Sequence, residues 1–386
     1  MKVLNALLLS RRPALAFVLV GLFWGCFAAY IPDLKIRLNV SDATFGLLLL
    51  CNALGLLSSM WLAPKIDNIL GNRGLQIGTA LFAATLFLPG FASGALTFGL
   101  SMAIVGAASG LVDVLMNARV SELEQVHKRP LMNGNHGMFS LGYAAAAVVS
   151  GFAREAHVEP GIAFLIVGSL ILGLSSCLEM KTYKSPTAKP GSFSYPTGPI
   201  LLCGLIVLVA FMTEATVETW SAIHIERTLM GRAAEGALGP AMLGITMALG
   251  RFFGQSISET FSETKVIICA TCVAAIGAVI AALAPTPVLA YIGFGTLGLG
   301  VSVIGPLGLA LVGKYVPDHL RTEAISRVTV LGFAGFFLAP TMMGLISEVQ
   351  GLRVAFLCAA LFSLLNIPLT LLLSRFSKVR VSLSKV

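Results

Sequence analysis

The chain has 386 residues, 56% of them hydrophobic and only 11% charged, with a mean hydropathy of +0.89. A soluble domain carries about 25% charged residues, so this composition excludes an ordinary globular enzyme and points to the bilayer. Nor does the net charge of +8 mark a nucleic-acid binder, because the basic residues are spread over short connections and the tail from Arg375 to Lys385, where anionic headgroups are their natural neighbours.

Twelve apolar segments follow in chain order: 14–31, 43–63, 74–92, 96–118, 131–153, 160–179, 199–223, 236–257, 266–285, 287–312, 324–347 and 353–374. Each approaches or exceeds the about 20 residues that cross a ~30 Å hydrocarbon layer. When the connections are assigned alternately to the two sides, one side receives 20 of the 26 basic residues and the other six. Basic residues accumulate on the cytoplasmic side, so both termini are predicted there. The expectation is an all-α integral membrane protein with 12 transmembrane helices, multi-pass in the inner (plasma) membrane. Lys2, Arg11 and Arg12 before the first apolar run imitate a secretory signal, but eleven further spans predict an uncleaved first helix. The cysteines all fall in apolar spans; Cys269 and Cys272 form a CxxC with no second pair and no nearby His, which predicts packing rather than metal or redox work.

The charge-free stretch from Gly74 to Val112 is broken at Pro89-Gly90, and that from Val266 to Gly313 at Pro285-Thr286-Pro287. Gly142 and Gly151 in the fifth span recur 193 residues later as Gly335 and Gly344 in the eleventh. Ala163-Phe164 opening the sixth span is matched by Ala355-Phe356 opening the twelfth, and the longest polar connection, with Pro186, Pro190 and Pro196, lies between these halves. This predicts two six-helix bundles, 1–180 and 199–386, joined by a cytoplasmic linker, 181–198. That is the plan of transporters that rock two repeats about a midplane site.

The turn after the second span, Ala63-Pro64-Lys65-Ile66-Asp67-Asn68-Ile69-Leu70-Gly71-Asn72-Arg73, resembles the G-x-x-x-D-R-x-G-R-R signature of the major facilitator superfamily. Ala63 replaces the first Gly, Asn68 replaces Arg, and one residue is inserted before Gly71; the partner turn, Gln255 to Glu259, keeps only the acid. Three further stretches resemble the MosC-like (rhizopine-associated) branch: Ile31-Pro32-Asp33-Leu34-Lys35 with Leu38, Ser41-Asp42-Ala43 and Gly46; Gly110 to Ala118; and Arg129 to Gly142. That branch is similar to the fucose permease-like group, whose better-known members are proton-coupled sugar symporters.

An ionisable side chain inside a span costs about 2.5–3.5 kcal/mol on insertion scales, so each is a functional candidate. In the first span, Trp24 can stack on a sugar or planar ring, or simply pack. Asp67 with Arg73 is expected to latch one conformation through ion pairs on the cytoplasmic face, and Arg119 and Arg251 are further expected gating residues. Asp113, in the fourth span, has Asn117 one turn later on the same face. The resemblance implies a proton role for Asp113 and a polar-contact role for Asn117; the residues alone also allow a structural ion pair between Asp113 and Arg119. In the fifth span, His136 suits proton relay or an interfacial hydrogen bond, and Phe139, Ser140 and Tyr143 are expected in the cavity.

Glu214 and Glu218, four apart on one face of the seventh span, precede Trp220, which is expected in the cavity with Glu214, and the resemblance implies that this is a gate-forming helix. Two carboxylates can hold a polyol, neutralise a cationic substrate or form a second proton site; alternatively Glu214 pairs with Arg251 of the eighth span, which depth counting places within reach.

No Arg precedes Gly106 and no Gly-Pro pair interrupts the fifth span, where Ala144 to Ala147 stand instead, which weakens a drug-export reading that rests on the resemblance. Walker, HExxH and GxSxG motifs are missing, so no enzyme and no cofactor is expected. The sequence reading is a monomeric secondary transporter that imports a small polar organic solute (a sugar, polyol or similar) with protons by alternating access. The competing reading is a proton-linked antiporter exporting a metabolite or drug.

Overall fold

A computed structural model describes residues 2–183, 197–316 and 321–383, excluding the side chains of 2–4, 61, 254–260, 322 and 377–383. The proline-rich part of the expected linker, 184–196, the side chains of the Gln255–Glu259 turn, and Lys385 lie outside the described residues.

Every regular element among the described residues is helical: α1 (Lys2–Leu9), α2 (Arg11–Leu38), α3 (Asp42–Leu70), α4 (Gly74–Thr85), α5 (Ala95–His127), α6 (Met132–Glu155), α7 (Pro160–Ser175), α8 (Thr197–Ile223), α9 (Ala233–Thr260), α10 (Glu263–Leu283), α11 (Pro287–Val312), α12 (Arg321–Ser363) and α13 (Asn366–Leu383). Local chemistry sets many of the ends. Ser41 caps α3, its Oγ accepting from the Thr44 amide at 3.2 Å. Pro160 and Pro287 open α7 and α11, where a missing N–H costs nothing. The Pro89-Gly90 break forms a short 3-10 turn, and α2 stops at Asn39 in the left-handed conformation.

Two expected boundaries are corrected. The signature-like turn is not a loop from residue 63: α3 stays helical to Leu70 and only Gly71–Arg73 turn. The last expected span, 353–374, is not one helix. Gly351, with φ of 80°, kinks α12 just before this span, and within it a break at Leu364-Leu365 precedes α13.

Ten helical stretches among the described residues are long and apolar enough to cross a membrane, and the last, Glu323–Phe376, is 54 residues, room enough for two crossings. The polar and small residues of α6 keep it out of that set. Large apolar side chains face outward, among them Leu54, Leu96, Phe152 and Leu361, as a lipid-facing surface requires.

The glycines recurring at a fixed interval occupy equivalent places. Gly142 seats α6 on α2, where an added Cβ would lie 2.6 Å from the Val18 carbonyl oxygen. Gly335 likewise seats α12 on α8, with 2.2 Å to the Leu208 oxygen. Their partners face the opposite half of the chain: a Cβ at Gly151 would meet Ala237 of α9 at 2.6 Å, and one at Gly344 would meet the Asp42 oxygen of α3 at 2.4 Å. In each half one glycine joins a helix to its own first helix and the next lets it approach the other half. The resulting contacts, α6 on α9 and α12 on α3, flank a space between the halves.

Candidate functional site: a cavity between the two halves

That space is a cavity of about 250 Å³. The first half lines it with Phe17, Trp24 and Phe27 of α2, Asn52 of α3, Asp113 of α5, and His136, Phe139 and Tyr143 of α6. The second half contributes Phe211, Glu214 and Glu218 of α8, Arg251 of α9, and Phe333, Phe336 and Phe337 of α12. Its wall is aromatic, and its ionisable groups come from both halves.

Arg251 is the polar hub. Its Nη1 donates to Ser140 Oγ at 2.6 Å and to the His136 carbonyl at 3.3 Å, while Nη2 donates to Glu214 Oε1 at 3.3 Å. The guanidinium thus pairs within its own half and reaches across to α6. Asp113 is different: its carboxylate accepts from Asn117 Nδ2 at 3.2 Å and makes no ion pair among the described residues. Glu218, one turn beyond Glu214, makes neither a hydrogen bond nor an ion pair among the described residues. His136 lines the cavity and meets Phe17 edge-on at 4.8 Å.

At one end of the cavity, charged groups tie the halves together. Arg154 of α6 binds Asp33 through Nε and Nη2 at 2.9 and 2.6 Å, and Glu226 beyond α8 through Nη1 and Nη2 at 2.6 and 2.9 Å. Beside this clamp, Asp42 receives both ends of the Arg227 guanidinium at 2.8 and 2.6 Å, with Lys35 at 2.8 Å on the same carboxylate. Glu348 of α12 accepts from the Asp42 amide at 2.8 Å, placing its charge at the positive N-terminus of α3. Glu226 and Arg227 sit in a π-helical turn, His224–Thr228, that extends α8. We call this end the latched face.

At the opposite end, which carries most of the basic residues, these ion pairs among the described residues lie within one half. Buried Arg119 pairs with Asp67 and Glu122; Arg73 approaches Glu179 at 3.6 Å; Lys314 pairs with Glu263. We call this the basic face.

The Major Facilitator Superfamily model matches residues 202–384. An uncharacterised MFS-type transporter of Yersinia pestis is 30% identical over 356 residues, spanning 91% of this chain and 92% of its own. The chain belongs to the Major Facilitator Superfamily. Membrane protein MosC of Rhizobium meliloti is 27% identical over 350 residues, covering 89% of this chain and 85% of its own. Among solved structures, a D-xylose-proton symporter superposes with a TM-score of 0.71 at 15% identity, over 94% of this chain and 98% of that one, a likeness of fold. As a facilitator, the protein is a multi-pass transporter of the inner membrane that moves a small organic solute by alternating access, and it is not an enzyme.

The facilitator fold brings some expected residues together and separates others. Trp24, His136, Phe139, Tyr143, Asp113, Glu214, Glu218 and Arg251 all line the cavity. Asn117 and Ser140 stand just behind its wall, on Asp113 and Arg251 respectively. Trp220 does not line it: it is fully buried, edge-on to Phe45 at 6.4 Å beneath the latched face. Asp67 does not pair with Arg73, because Arg119 reaches it first, and that same pairing removes Arg119 as a partner for Asp113. Of the two readings of Glu214, the structure has the ion pair with Arg251. Sequence reasoning missed the Arg154 and Asp42 clusters. The available signal was that the side poor in basic residues nevertheless places Lys35, Arg154 and Arg227 close to acids. It also missed Asn52, the lone amide in an otherwise apolar stretch of α3.

Proposed function

We propose that this facilitator is a proton symporter that imports a small polar organic solute, within the MosC-like, fucose permease-like branch. In this reading the chain crosses the membrane twelve times as two six-helix bundles, 1–180 and 199–386, and acts as a monomer. The basic face, both termini and the 181–198 connection are cytoplasmic. The conformation described is then shut toward the outside by the Arg154 and Asp42 clusters, and its cavity serves the cytoplasm.

The observation that carries the reading is Asp113: a carboxylate facing the cavity with an amide for a partner and no compensating cation among the described residues. A charge held there without a counter-ion is costly, whereas a proton taken up from one side and released to the other removes that cost once per cycle. Glu214 already has Arg251, so its charge is compensated within the wall. Because Arg251 also holds Ser140 and the His136 carbonyl, any change in its pairing with Glu214 is felt across the interface between the halves. At about 250 Å³ the cavity falls below the ~300–1,000 Å³ of pockets that take drug-sized ligands, which supports a small solute over a drug.

The test is uptake into proteoliposomes with a pH dye trapped inside. Solute-dependent acidification is expected from the wild type. Asp113→Asn is expected to lose at least about tenfold in accumulation, ~1.4 kcal/mol of coupling, while still exchanging solute across equal concentrations. Alkalinisation on solute addition would make the protein an antiporter and reject the reading.

A further inference from the structure

Apart from the central cavity, a second pocket, of about 480 Å³, opens on the latched face. Both halves line it: Lys35 near the end of α2 and Asp42 at the start of α3 from one, Arg227, Glu348 and Arg353 from the other. Three cations thus share it with two acids. The symport reading gives this pocket no task.

Both acids are already engaged. Asp42 takes Arg227 Nη1 and Nη2, Lys35 Nζ and Ser347 Oγ, four donors for the about four lone-pair sites of a carboxylate. Glu348 Oε2 accepts from the amides of Asp42 and Ala43 at 2.8 and 3.3 Å, at the N-terminus of α3. Arg353 is in the opposite position. Its Nη1 donates to the Ala282 carbonyl at 2.9 Å, and it makes no ion pair among the described residues. A guanidinium carries five N–H donors, so Arg353 keeps donors to give, and half-exposed Arg227 lines the same pocket.

An anion with two or more acceptor oxygens answers that imbalance. Paired oxygens match the fork of a guanidinium, and the charge of the ion also attracts Lys35, which belongs to the other half. A cation would raise a net charge that is already positive, and a neutral molecule would leave Arg353 without a counter-ion. Leu352 is the single large apolar side chain among the lining residues, so the pocket offers no track for an acyl chain and suits a free ion over a lipid headgroup. We propose that this pocket binds a small free oxyanion, of the phosphate or carboxylate type, and that the bound ion locks the latched face by adding a tie between Arg353 and Lys35. The pocket gathers both halves only while that face is closed, so the ion selects the closed conformation.

The probe is inorganic phosphate, titrated calorimetrically into the full-length protein in phosphatidylcholine nanodiscs, with sodium chloride holding the ionic strength constant. Saturable binding to one site is expected, with a rise in melting temperature. Arg353→Gln should weaken phosphate at least about tenfold, and Arg353→Lys should recover part of the loss. Gln350→Glu, which puts a negative charge at an exposed position of the lining, should weaken it to a similar extent. In Arg154→Gln, where the latched face is expected to open, saturating phosphate should return spin labels at Ile36→Cys and Met230→Cys toward their wild-type spacing.

Gel filtration establishes that each variant is folded. Should Arg353→Gln not fold, the exposed Gln350→Glu carries the test. Wild-type phosphate affinity in the folded variants overturns the inference, as does an effect that chloride reproduces at equal ionic strength. Stabilisation that appears only with phosphatidylglycerol in the nanodisc, and never with free phosphate, assigns the pocket to a lipid headgroup and overturns the free-ion proposal. Binding that leaves the label spacing of Arg154→Gln unchanged overturns the lock. Accumulation of phosphate in proteoliposomes would make the ion a cargo, and overturns it too. The symport reading stands apart from all but the last of these outcomes, because the trapped dye tests it in phosphate-free buffer.

Discussion

The two ends of the cavity hold charged clusters of similar composition arranged in opposite ways. On the latched face the arginines bridge the halves: Arg154 joins Asp33 to Glu226, and Arg227 joins the π-helical turn beyond α8 to Asp42. On the basic face the corresponding arginine, Arg119, joins Asp67 of α3 to Glu122 of α5, inside one half. The first arrangement can form only when the halves close at that end, so it stores information about conformation. The second is present whichever way the halves lean, so it stabilises a bundle. An ion pair is therefore part of a gate or part of a scaffold according to which chain segments it connects, and its strength does not tell the two apart.

Substitutions can break this comparison or sharpen it. The largest effects are expected from Arg154→Gln and Arg119→Gln, each of which strands two acids around a buried site at a cost of about 3–5 kcal/mol. Their readouts should diverge. Spin labels at Ile36→Cys and Met230→Cys, exposed positions on either side of the latched face, should move apart in Arg154→Gln and keep their spacing in Arg119→Gln, which should instead lower the melting temperature. Equal spacing changes in both would erase the distinction between gate and scaffold.

A smaller effect, about 1–2 kcal/mol, is expected from Arg227→Gln, because its side chain is 45% exposed and Lys35 remains on Asp42. The same label pair should report partial opening. The smallest should come from Arg73→Gln: the pair with Glu179 at 3.6 Å is exposed on both sides, so melting temperature and label spacing should stay within the equivalent of about 0.5 kcal/mol of the wild type.

Much of the cavity was legible because the membrane makes polar residues conspicuous. Asp113, Glu214, Glu218 and Arg251 stand out in apolar spans, and all four face the cavity. Depth counting brought Glu214 and Arg251 within reach of each other, since both helices rise regularly. Trp220 shows where that reasoning stops. It lies two residues beyond Glu218, about 200° around the helix, so its ring turns away from the cavity toward Phe45. Asp67 shows the same limit differently: Arg73 is near it in sequence, but Arg119, 52 positions away, is brought against it by the packing of α3 on α5.

From composition, charge alternation and spacing, the sequence by itself determined that this protein lives in the bilayer, that paired glycines recur at a half-chain interval, and which ionisable groups lie within its apolar spans. Those properties follow from each residue's cost of transfer into lipid and from helical periodicity, both local. Only the tertiary structure decided which charges meet: Arg154 with Asp33 and Glu226, Arg119 with Asp67 rather than Asp113, and Glu218 with none among the described residues. Pairing depends on distances between helices remote in sequence, and a difference of a few ångströms separates a paired charge from an unpaired one.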